Sequence, residues 1–216
     1  MCRRLILFLC LFLFLQSCSN DSNPSGPPGI PLTAEEKSVD DIKSMWEIRK
    51  PRYSGDIYSI VPSVSRPYNP GQLHSEFLLD GLNMINFCRY LADLPADCVL
   101  DPEYNEMCQY GAVLLAASAF SHTPPQLNDM SDRFYETGYQ ATSSSNIGAG
   151  YPSLAAAVQS GWMSDRDARN IDRVGHRRWI LNPSLKRIGF GFAPSHFSLM
   201  YVFDKSRKQQ EVHSER

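Results

Sequence analysis

Residues 187–203 read RIGFGFAPSHFSLMYVF, and the fold turns on how they are read. Ile188, Phe190 and Phe192 alternate with Gly189 and Gly191, the period-two pattern of a strand. Ser198 to Phe203 reads as a second strand, and Ala193 to His196 supply the turn of a hairpin between them. Segments upstream carry a helical period instead. Phe77, Gly81, Met84, Cys88 and Leu91 form the stripe of a helix that Pro95 ends. Asp101-Pro102 places an N-cap before a proline at the first helical position. Tyr104, Cys108, Ala112, Leu115 and Ala119 stripe the helix that follows, expected to run to Ser121-His122. A short helix is expected over Ser131 to Thr137, closed by Gly138, and Ser153 caps another over Leu154 to Met163. Thr142 to Gly150 between them reads as a loop or an irregular strand. Helices first and strands last predict an α+β layered domain rather than a doubly wound parallel sheet.

The rest of the chain fixes where that domain resides. Its 216 residues carry a net charge of −2, enough length for one core and no basic excess, which excludes a nucleic-acid partner on electrostatic grounds. Arg3 and Arg4 precede LILFLCLFLFL at Leu5 to Leu15, and Ser17 follows. Eleven apolar residues reach only about 16 Å as a helix, roughly half a bilayer's hydrocarbon, so residues 1–17 read as an export signal rather than a span. Leu15-Gln16-Ser17-Cys18 resembles a bacterial lipobox, with Gln16 departing from its usual small or apolar residue; Cys18 is then the lipid site, and plain secretion is the other reading. Losing Arg3 and Arg4 leaves 19 basic against 23 acidic residues, a net charge of −4.

Residues 18–32, rich in Ser, Pro and Gly, form a disordered tether. Thr33 with Glu36 suggests a capping box for a helix to about Trp46, and residues 33–70 form this helix and a proline-bearing extended lead-in. Residues 71–204 are the domain proper, and 205–216 a polar tail. Cys88, Cys98 and Cys108 fall within the domain, open to one disulfide and a thiol or to three buried thiols.

Two histidines, His122 in Phe120-Ser121-His122 and His176 in Gly175-His176-Arg177, sit at element ends, where capping the last carbonyls of a helix is the ordinary role. From about Glu76 to Phe203, however, the chain resembles the CAP superfamily, the SCP-like domain of cysteine-rich secretory, antigen 5 and pathogenesis-related proteins and of many bacterial exported proteins. Seven pieces carry the resemblance in family order. They are LNMINFCR at Leu82 to Arg89, LDPEYN at Leu100 to Asn105, Phe120-Ser121-His122, SNIG at Ser145 to Gly148, Gly161-Trp162-Met163, Gly175-His176-Arg177 and IGFG at Ile188 to Gly191.

The resemblance implies a three-layer α-β-α sandwich with a small antiparallel sheet and a surface cleft holding two histidines and two acidic residues. The histidines fall on His122 and His176, and one acidic residue falls near Asp165. Ser145 stands where the family motif has the other. Two imidazoles suit a divalent cation such as zinc, the one cofactor the resemblance suggests, and the lost carboxylate makes its binding weak. A hydrolase is the competing reading, with Ser144 or Ser145 as nucleophile, His176 as base and Asp165 orienting it. Arg177, Arg178, Lys186 and Arg187 form either a solvated face or an attraction for an anionic ligand. Asn146 is expected to tie its loop to neighbouring backbone, and Trp162 and Trp179 to lie in the core.

The expected function is that of an exported, lipid-anchored envelope protein, monomeric, binding an envelope ligand or protein without catalysis. The alternative is an extracytoplasmic hydrolase using His122 and His176, with or without a metal.

Overall fold

A computed structural model describes residues 36–168 and 170–201. The expected signal, Cys18, the tether, Thr33 and the polar tail lie outside the described residues. Helix α1, Val39–Arg49, starts later than the Thr33–Glu36 signature predicts, because Ser38 and Asp41 form the capping box instead. The Ser38 hydroxyl accepts from Asp41 N at 3.1 Å, and the Asp41 carboxylate accepts from Ser38 N at 3.0 Å. The lead-in follows as a small antiparallel ribbon, β1 (Tyr58–Ile60) with β2 (Gln72–Leu73). It is tied to α2, Ser75–Leu91, where the Asp80 carboxylate accepts from the backbone N–H groups of Arg52 and Tyr53 at 3.0 and 2.8 Å.

Helix α2 buries Phe77, Gly81, Met84 and Cys88 as its stripe predicts, but Leu91 is exposed at the end of the last turn. Two polar residues on its inner face, Asn86 and Arg89, are buried because each closes a backbone account. Asn86 accepts from Cys98 N and donates to Cys98 O, both at 3.0 Å. Arg89 donates from Nε to the Pro95 carbonyl and from Nη1 to those of Ile180 and Asn182. The N-x-x-R run therefore staples a helix to two distant loops.

Strand β3 (Val99–Leu100) leads into α3, Pro102–Ala117, whose cap is Asp101: its carboxylate accepts from Glu103 N at 2.9 Å. The helix stops four residues short of Ser121, and the Ser118 hydroxyl turns to the Pro125 carbonyl at 2.7 Å, so His122 lies in a loop. Helix α4, Asp132–Ser143, runs through Gly138 instead of ending there. A Cβ at Gly138 would stand 3.0 Å from Leu114, so this glycine brings α4 close to α3 rather than capping anything. Then come β4 (Ser145–Gly148), α5 (Leu154–Ala156) continuing as a π-helical turn over Ala157–Trp162, α6 (Arg177–Ile180), β5 (Arg187–Ala193) and β6 (Phe197–Tyr201).

The sheet runs β3-β5-β6-β4, with β5, β6 and β4 antiparallel and β3 parallel to β5. Alternation along β5 builds the three layers. Ile188, Phe190 and Phe192 pack with α2, α5 and Trp162 on one face. On the other face, Gly189 and Gly191 meet α3 and Ala193 joins the core of α3 and α4. A Cβ on Gly191 would stand 2.0 Å from the Cys108 carbonyl oxygen, so the helix backbone rests directly on the strand. Gln109 fixes this approach by accepting from Phe192 N at 2.9 Å and donating to Phe192 O at 2.8 Å. The chain thus has the α+β, three-layer architecture. Cys88, Cys98 and Cys108 are buried and form no disulfide. Among the described residues no helix is long and apolar enough to cross a membrane.

Candidate functional site

His122 and His176, 54 positions apart, line the same cleft. Its two lobes, of about 230 and 520 Å³, share both histidines together with Asn170 and Arg173. His122 is placed by a reciprocal pair with the last turn of α4: the ring Nδ1 lies 2.8 Å from the Thr142 carbonyl, and the Thr142 hydroxyl donates to the His122 carbonyl at 3.2 Å. A carbonyl can only accept, so Nδ1 carries the proton and Nε2 of the neutral ring keeps its lone pair. The histidine does cap helix carbonyls as its position suggested, but those of α4 rather than α3.

His176 is held by Asp165, whose side chain is wholly buried. Oδ1 lies 2.6 Å from Nδ1, and Oδ2 accepts from the backbone N–H groups of His176 at 2.9 Å and Arg177 at 2.8 Å. A carboxylate saturated in this way dictates the ring's orientation and again directs the proton to Nδ1. Two further devices hold the loop. Asp165 and Val174 adopt left-handed backbone, φ +47° and +45°, which for a β-branched valine is a strained state worth about 1–2 kcal/mol. Arg177 donates to the carbonyls of Met163 and Ser164 at 2.6 and 2.9 Å, closing the end of the π-helical turn. Asn146 donates to the His176 carbonyl at 3.2 Å, the backbone tie its sequence context predicted.

Ser145 lines the smaller lobe with both histidines but is hydrogen-bonded to neither ring. It is buried in the first position of β4 with its hydroxyl 4.0 Å from Cys108 Sγ. Ser144 is the C-cap of α4. Asp165 and His176 lie within hydrogen-bond distance of each other, while of the two serines Ser145 is buried against Cys108 and Ser144, half-buried, lines the smaller lobe. Asp165, Asp167 and His176 form the single cluster, among the described residues, of three metal-capable groups within 4.8 Å of one another. His122 is not part of it, and the Asp165 oxygens in it are already engaged by hydrogen bonds.

The basic patch resolves differently from its sequence reading. Arg177 is consumed internally, Lys186 pairs with Asp97, and Arg187 pairs with Asp101. Arg178 alone of the four lines the cleft, 5.1 Å over the Trp179 ring. Trp162 is core, its Nε1 donating to the Ile147 carbonyl at 3.0 Å, whereas Trp179 is half-buried on the cleft wall. Sequence reasoning missed Thr142, Asn170 and Arg173. None has a spacing that marks it: Thr142 is placed by the end of α4, and Asn170 and Arg173 by the loop ahead of His176. The one local signal was Gly175, where a Cβ would lie 2.1 Å from Asn170 Oδ1.

The family model described as cysteine-rich secretory protein family, CAP, matches residues 82–203, a stretch that includes both histidines, Asp165 and the β5–β6 hairpin. A 1.5 Å crystal structure of an extracellular protein containing an SCP domain, from Bacillus anthracis str. Ames, is similar at 20% identity and a TM-score of 0.44. The match covers 64% of this chain and 48% of that one, so the chain spans about half that protein's length. No curated protein matches the chain.

Proposed function

The chain belongs to the cysteine-rich secretory protein family, and from that premise we propose that it is an exported, lipid-anchored envelope protein whose domain binds a ligand in the His122/His176 cleft without catalysing its turnover. The leader and Cys18 support the anchored location: several acyl chains, at about 0.8 kcal/mol per buried methylene, hold a protein at a bilayer. The observation that carries the binding reading is that neither Ser144 nor Ser145 is hydrogen-bonded to His176, although both line the smaller lobe. Both imidazoles are fixed through Nδ1, while the Ser145 hydroxyl lies beside Cys108 Sγ and the Ser144 hydroxyl bonds to neither ring.

A zinc-like ion fits the donor set in part. His122 and His176 would hold it through Nε2, with Asp165 behind one ring as the supporting carboxylate, and the ion would supply a Lewis-acid anchor for an anionic or carbonyl group. Water or Asp167 would have to complete the set, which favours weak binding. The second reading, a hydrolase, draws on the Asp165–His176 pair, whose Nε2 is placed as a general base is placed.

Two measurements test the proposal. Mass spectrometry of the protein from membranes should give a mature N-terminus at Cys18 carrying acyl chains; an unmodified N-terminus removes the anchor. Hydrolysis of 4-nitrophenyl acetate should not differ between the protein and H122A/H176A. Turnover that disappears in that double variant establishes the hydrolase instead.

A further inference from the structure

Resting on the reading of this cleft as a binding site, we infer that its ligand is an anion attached to a ring: a phosphate or carboxylate group held in the smaller lobe, with a six-membered ring seated in the larger one. The smaller lobe supplies the charge. Arg173 and Arg178 both line it, and neither has a carboxylate partner among the described residues. Arg173 Nε lies beside Gly175, 3.5 Å from where a Cβ would stand, so the side chain passes over the residue next to His176. Two carboxylates stand nearby: Asp165 accepts from His176 and the Arg177 backbone, and Asp167, in the larger lobe, accepts from Asn170 at 2.9 Å. Two guanidinium groups without an ion-pair partner at one mouth can meet an anion there, while the Asp165 and Asp167 carboxylates face other donors. Planar guanidinium forks suit phosphate and carboxylate alike.

The larger lobe supplies aromatic faces on a wall of mixed polarity. Phe120 and Tyr151 line it, with Gly148, Gly161 and the edge of Trp162. A Cβ on Gly161 would come within 2.7 Å of the Tyr151 ring, so that ring lies directly on backbone and cannot swing inward. Phe120 is 51% exposed at the lobe, a large apolar face left to water unless a ligand covers it. The lobes meet at His122, Asn170, Arg173 and His176, so one small molecule can touch both. Inorganic phosphate alone would leave the aromatic lobe unused, and a neutral ring would leave the arginines unused.

The test titrates the full chain, in neutral detergent, with inorganic phosphate, phenol, phenyl phosphate and glucose 6-phosphate by calorimetry. At least one of the two ring-bearing phosphates should bind tenfold or more tightly than inorganic phosphate, and which one does separates an aromatic ring from a sugar ring. R173A/R178A should weaken that ligand at least tenfold and leave phenol unchanged. Y151A should bring it to the affinity of inorganic phosphate. Equal affinity for all three phosphates, or an unaltered R173A/R178A, overturns the inference; the cleft reading then survives if H122A/H176A still weakens whatever binds. Binding unaffected by any of these variants overturns both.

Discussion

Replacing Asp165 by Asn should reverse the tautomer of His176, and the structure says why. The carboxylate accepts three hydrogen bonds, two from backbone N–H groups through Oδ2 and one from the ring through Oδ1. An amide has one oxygen and one NH₂. If its oxygen keeps both backbone donors, the NH₂ faces His176 Nδ1, which must then accept, and the ring proton moves to Nε2. The alternative rotamer sets an NH₂ against two backbone N–H groups, which is worse. Charge-assisted bonds contribute roughly 1.5–3 kcal/mol and neutral ones about 1, so D165N should lose about 2–4 kcal/mol of stability through its weakened acceptors. Urea unfolding reads the stability, and ¹⁵N NMR of the imidazole reads the tautomer directly. His176 Nε2 should change from an unprotonated to a protonated nitrogen while His122, held by the Thr142 carbonyl, stays as it was. A D165N protein whose His176 still carries its proton on Nδ1 would refute the claim that Asp165 sets the ring.

Other consequences are equally specific. G191A sets a methyl against the Cys108 carbonyl and strains the paired Gln109–Phe192 bonds; overpacking and two weakened bonds together should cost about 3–5 kcal/mol in denaturant unfolding, where a surface glycine would cost well under 1. Burial pushes the Cys88 thiol up to about 11, so in the native protein at pH 8 only about one thiol in a thousand is ionised, and iodoacetamide should label the Cys88 peptide only after unfolding. Because the folded thiol keeps its proton while the unfolded one, near 9, has lost it, Cys88 should withdraw up to about 2 kcal/mol of stability as pH rises from about 9 to 11, and C88A should flatten that decline. Zinc should bind weakly by calorimetry, and H176A should lose that binding; an unchanged isotherm in H176A would place the metal elsewhere.

What the sequence determined by itself was local. The Ile188–Phe192 alternation, the Asp101-Pro102 cap and the α2 stripe follow from side-chain periodicity and from backbone groups that must find partners nearby, and these were legible together with the family motifs. Helix ends were less so. Gly138 carries the residue type of a stop signal, yet α4 runs through it because contact with α3 outweighs a glycine's weak local preference. The site was legible as residue types only. That His122 and His176 share one cleft, that Asp165 hydrogen-bonds the His176 ring, that Ser145 lies beside Cys108, and that Arg173 rather than Arg177 lines the cleft were all decided by tertiary structure. The physical reason is that side-chain direction in a loop is set by which distant carbonyls and N–H groups need satisfying. A linear spacing carries no record of them.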